Sequence, residues 1–96
     1  MTANELFTYY KFQVIQDTDN SLIYTKEGEK EKINFVFDKQ AKSVEVFRSV
    51  LKPSEGLEVG KCYSYEPLNA NWKHEVFPIG RKELVMITRQ FEEFGW

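Results

Sequence analysis

A single cysteine, Cys62, and a single histidine, His74, bound the chemistry open to this 96-residue chain. Together they make the one thiol–imidazole pair available for nucleophilic catalysis, with Asn69 or Asn71 as an orienting group. Cys62 stands beside Tyr63 in a strand-like run, and unpaired cysteines are among the most buried side chains. It therefore reads as a packing residue. Zinc takes three or four nitrogen or sulfur ligands, more than one thiol and one imidazole supply. The spacing does not recruit Glu66 or Glu75 to complete a set, so no metal or cofactor is expected. The run Asp17-Thr18-Asp19-Asn20 resembles the opening of a calcium loop but lacks the glycine at the sixth position and the glutamate at the twelfth. It reads as a turn. Glu92 and Glu93 are neighbours in a helical pattern and point to different sides, so they form no acid–base pair. A catalytic function is not expected.

Phosphate binding asks for a glycine-rich turn opening a helix. Gly80 opens the last helix alone, followed by Arg81 and Lys82. Two cations in a first turn oppose the helix macrodipole. One reading is a small anion site made from Gly80, Arg81 and Lys82. The other, which we prefer, is a solvated first turn with Glu83 offsetting part of the charge.

The elements that would position these residues are legible from periodicity. Thr2 and Glu5 have the spacing of a capping box, which predicts a short opening helix with Leu6, Phe7 and Tyr10 on one side. Residues 12–16 alternate as a strand, residues 17–20 turn, and residues 21–26 return. The clearest strand covers residues 32–38, with Ile33, Phe35 and Phe37 on one face. Residues 43–48 follow, with Val44 and Val46 inward and Glu45 and Phe47 outward. Short polar turns between these strands predict an antiparallel meander. Residues 50–60 hold Pro53, Gly56 and Gly60 without a clean period and read as a loop. Residues 61–66 read as a short strand, 67–73 as a loop carrying Trp72, and 74–79 as a last extended piece.

A helix is predicted over 81–94, where Leu84, Ile87, Phe91 and Phe94 form one stripe of a 3.6-residue period. Gly95 then fits the left-handed residue after the helix, and Trp96 should fold back on Phe91. Residues 1–96 thus read as a single α+β domain. It is an antiparallel sheet of four to six strands with both helices on one face.

The charged fraction of 29% and apolar fraction of 42% are those of a globular chain. A net charge of −2, with signs interspersed, supplies no broad field to draw in nucleic acid. One cysteine allows no internal disulfide. The first residues show no basic start leading into an apolar stretch, and no run approaches a membrane span. A cytoplasmic, non-membrane protein is expected.

Aromatics, at 16% of the chain, are the unusual component. Rings on a sheet face can stack single-stranded bases. Tyr24, Val36 and Phe47 could share the outward face, with Lys26, Lys32 and Arg48 nearby. The acidic Glu27, Glu29, Glu31 and Glu45 weaken that reading, and nucleic acid stands as the second choice. Protein recognition is the first, because Tyr and Trp are enriched where interfaces bind most tightly. The candidate contact residues are Tyr63, Tyr65, Trp72, Phe47 and Val36. The alternative for Tyr63, Tyr65 and Trp72 is packing onto their own domain. The partner is an unidentified protein, and the chain itself is expected as a monomer or homodimer.

Two stretches carry a resemblance. They are the opening TANELF with its SLIYTKE and INFVFDKQAKSVEV strands, and the closing ELVMITRQFEEFGW. They resemble small uncharacterised proteins of Gram-positive bacteria and their phages or mobile elements. The matching residues are Tyr24, Ile33, Phe35, Gln90, Glu93, Gly95 and Trp96, the last four in a Q-x-x-E-x-G-W tail. The resemblance omits residues 50–73. It implies a cytoplasmic accessory role and brings no site residues.

Overall fold

A computed structural model describes residues 1–29, 31–52, 56–66, 71–74 and 79–96. The elements are α1 (Ala3–Tyr9), β1 (Gln13–Asp17), β2 (Ser21–Glu27), β3 (Glu31–Asp38), β4 (Ser43–Lys52), β5 (Gly56–Glu66), β6 (Asn71–His74) and α2 (Arg81–Phe94). Among the described residues the strands form one six-stranded antiparallel sheet whose spatial order is their sequence order. This is the expected α+β meander.

The register explains the core. Leu22 pairs with Phe37 and Tyr24 with Phe35; Phe35 pairs in turn with Val46, and Phe37 with Val44. Because side chains alternate across the pleat, these residues share one face, and all are buried. Both helices pack on that face. Phe7 of α1 is the hub: its ring stacks on Tyr24 at 3.8 Å and meets Phe35 edge-on at 5.1 Å and Phe12 at 5.6 Å. From α2, Met86, Ile87 and Phe91 close the same cluster, with Leu84 and Phe94 half-buried at its margin. The predicted stripe missed Met86 and Gln90, both buried.

The helix ends follow local chemistry. Thr2 Oγ1 accepts from the Glu5 backbone N–H at 3.2 Å, and Glu5 returns the bond to the Thr2 N–H, completing the capping box. The α1 chain ends through Lys11, which takes a left-handed φ of 72°, and the Phe12 N–H donates back to the Phe7 carbonyl. At the end of α2, Gly95 takes a φ of 76° and the Trp96 N–H donates to the Phe91 carbonyl at 3.1 Å. Trp96 folds back, its ring 5.3 Å from Phe91 and 4.6 Å from Phe94.

Residues carrying the Q-x-x-E-x-G-W pattern each do structural work. Tyr24 Oη donates to Gln90 Oε1 at 2.8 Å inside the core. Glu93 Oε2 accepts from the Ala3 N–H at 2.5 Å, tying α2 to the first turn of α1. Gly95 and Trp96 form the helix stop.

The middle of the chain departs from the sequence reading. Of the stretch read as a loop, residues 50–52 and 56–60 are strand, since β4 continues to Lys52 and β5 begins at Gly56; residues 53–55 lie outside the described residues. Gly60 lies within the ladder opposite Arg48. Backbone pairing to a well-patterned β4 holds this strand, so a side-chain period is dispensable. In addition, Val46 pairs with Tyr63 while Phe47 pairs with Lys61. Cys62 is therefore the inserted residue of a bulge, which interrupts the alternation. The last described strand is Asn71–His74: residues 71–73 fall in the stretch read as a loop, and His74 opens the extended piece read over 74–79; residues 67–70 and 75–78 lie outside the described residues. In β1 a second bulge at Ile15 breaks the expected alternation, and every residue of that edge strand is exposed.

Candidate functional site

The face of the sheet turned away from both helices carries the candidate site. Ile23 and Val36 are direct cross-strand partners on β2 and β3, and Val36 pairs with Glu45 on β4. Phe47, two residues beyond Glu45, lies diagonally next to Val36. All three apolar side chains are half-buried. Beside them Thr25 pairs with Asn34, and Asn34 with Phe47. Thr25 Oγ1 and Asn34 Oδ1 are shielded from solvent and make no hydrogen bond among the described residues. A buried polar atom without a partner is destabilising by about 1–3 kcal/mol, so this face combines an apolar patch with unmet hydrogen-bonding capacity.

Tyr24 does not belong to that face. Its register with Phe35 turns it inward, where it stacks on Phe7 and is almost fully buried. Burial pushes its phenol pKa above the usual value. Two of the cations placed nearby also lie on the helix side. Lys26 sits over the Phe12 ring at 5.8 Å, and Arg48 donates from Nε to Glu31 Oε2 at 2.8 Å. Only Lys32 remains, 3.4 Å from Glu27. The stacking surface read from the sequence is therefore reduced to the single ring of Phe47 among the described residues. The pleat decides this: Tyr24 stands opposite Phe35 and so shares its inward face.

Tyr65 pairs with Val44 and faces the core, its ring 5.9 Å from Phe91. It packs on its own domain. Tyr63 and Trp72 hold register positions opposite Val46 and Tyr65; their side chains lie outside the described residues. The register also sets His74 opposite Tyr63, the neighbour of Cys62, and the side chains of this pair lie outside them too. Among the described residues no group of three or more His, Cys, Asp or Glu could hold a metal ion. No described helix is long and apolar enough to cross a membrane.

At the start of α2, Gly80 is the N-cap without a side-chain bond. The Glu83 carboxylate leans over it, 2.7 Å from where a Cβ on Gly80 would stand. Lys82 Nζ stands over the Tyr10 ring at 4.8 Å and 4.0 Å from the same Glu83 carboxylate. Glu83 thus already brings a negative charge to the positive helix end, where an anion would otherwise sit.

The chain matches no family model, no curated protein and no solved structure.

Proposed function

We propose that this domain is a non-enzymatic protein-interaction module, of a phage or mobile element in keeping with the resemblance in its opening and closing segments, and that its contact surface is the helix-free face of the sheet. The observation that carries this reading is the patch of Ile23, Val36 and Phe47 on three adjacent strands, bordering the unpartnered Thr25 Oγ1 and Asn34 Oδ1. An antiparallel sheet with one solvated face ordinarily presents polar side chains there. Contiguous apolar groups on such a face mark contact sites. The inward position of Tyr24 favours a protein over a single-stranded nucleic acid, which would need several rings on that surface.

The test is affinity capture from a host lysate, with and without nuclease, using the wild type and Val36→Lys. The substitution places a cation opposite Glu45, a favourable cross-strand arrangement, so the fold should survive. A protein retained by the wild type under both conditions and lost by V36K is the expected result. Retention that depends on nucleic acid, or that V36K leaves unchanged, would overturn the reading.

A further inference from the structure

The solvent face of α2 carries a different surface. Arg81, Val85, Thr88 and Glu92 are all exposed. At about 100° per residue they fall within an arc of about 60° on the helix, so they form one straight seam. Beside it runs a groove of about 470 Å³ between the two helices, with Met1 and Leu6 on one wall and Leu84 and Val85 on the other. Val85 is 53% exposed and Met1 65%, leaving apolar surface uncovered.

The seam's charges are placed against the helix that bears them. Arg81 occupies the positive N-terminal end and Glu92 the negative C-terminal end, each of the sign that the macrodipole disfavours there. Other groups in the same turns have uses within the chain. Lys82 meets Tyr10, Glu83 covers Gly80, and Glu93 binds the Ala3 N–H. Arg81 makes no ion pair among the described residues, and Glu92 has only an exposed contact with Arg89 at 3.3 Å.

We infer that this seam is a self-association surface, and that its occupant is the α2 helix of a second copy packed antiparallel across a two-fold axis. Placing the axis midway between Met86 and Ile87 brings Arg81 level with the second copy's Glu92, and Glu92 level with its Arg81. Val85 then meets Thr88 of the other copy, and the second copy's Val85 lies along the groove. The pattern is self-complementary, as an isologous contact requires. Antiparallel macrodipoles also attract, and each misplaced charge faces an opposite one. The surface is small, so the association is weak and reversible. It lies on the opposite side of the sheet from Val36 and Phe47 and does not depend on the partner-binding reading.

The test is sedimentation equilibrium of the purified full chain from about 10 μM to about 1 mM, the range of a weak contact. The variants are Arg81→Glu, Glu92→Arg and the double exchange. Both single changes favour the macrodipole of α2, so the monomers stay folded, which their melting temperatures verify. Wild type is expected to dimerise. Each single variant should weaken the dimer by more than about tenfold, because like charges then face each other. The double exchange should restore it, and an equimolar mixture of the two single variants should form a mixed dimer. A wild type that stays monomeric throughout would overturn the inference. So would a dimer indifferent to both charge changes, or a double exchange no better than the singles.

Discussion

Removing one oxygen from the core tests the link between the closing helix and the sheet. Tyr24→Phe keeps the ring stacked on Phe7 at 3.8 Å but deletes the hydroxyl that donates to Gln90 Oε1. Gln90 is 5% exposed, so water cannot replace the donor. The orphaned acceptor should destabilise the fold by about 1–3 kcal/mol. In a chain this short that lowers the melting temperature by about 5–15 °C. Tyr24→Phe with Gln90→Leu removes donor and acceptor together and substitutes an apolar group of similar size. Most of the loss should return, giving a coupling energy above about 1 kcal/mol. Thermal and urea unfolding of wild type, both single variants and the double variant measure the cycle. A Tyr24→Phe protein melting within about 1 °C of wild type would refute the argument. A double variant as unstable as the sum of the singles would also refute it.

Other consequences follow from the same geometry. Thr25→Val replaces an unpartnered hydroxyl with a methyl of the same shape; it should raise stability by about 1 kcal/mol in urea melts. Lys11 and Gly95 share the left-handed conformation, so Lys11→Gly should stabilise by about 0.5–1 kcal/mol and Gly95→Ala should destabilise by about 1 kcal/mol, opposite shifts readable in one calorimetric series. Burial raises the Tyr24 phenol pKa, so the folded state holds that proton more tightly than the unfolded one. Its contribution is complete below the ordinary phenol value of about 10 and is lost as pH rises through the elevated one. Stability measured upward from pH 9 should fall, with a shallower fall in Tyr24→Phe.

Where local chemistry decides structure, the sequence was readable. The Thr2–Glu5 spacing, the alternation of Ile33, Phe35 and Phe37, and the Gly95–Trp96 stop each specify their element without distant help. The first helix ends in the same way as the last, yet Lys11 gives no signal of a left-handed residue as Gly95 does. Two bulges, at Ile15 and Cys62, hid the regular pairing of β1 and β5, because an inserted residue shifts the alternation on which strand reading depends. The candidate surface was half legible. Val36 and Phe47 were assigned outward from their pleat, and the structure agrees. Tyr24 was misplaced, and Ile23 was missed although it precedes Tyr24 and must face the other way. The unpartnered Thr25 and Asn34 oxygens depend on tertiary burial and had no signature in the chain.

The contact surface can be read directly from methyl groups. Isoleucine and valine methyl-labelled domain, titrated with the captured partner and followed by NMR, separates the faces. Ile23 and Val36 report the helix-free face, Val44, Val46 and Ile87 the core, and Val85 the α2 seam. The account expects the largest shifts at Ile23 and Val36, with Val85 changing only with the concentration of the domain itself. Shifts confined to Val85 or to the core, with Ile23 and Val36 unmoved at saturation, would contradict it.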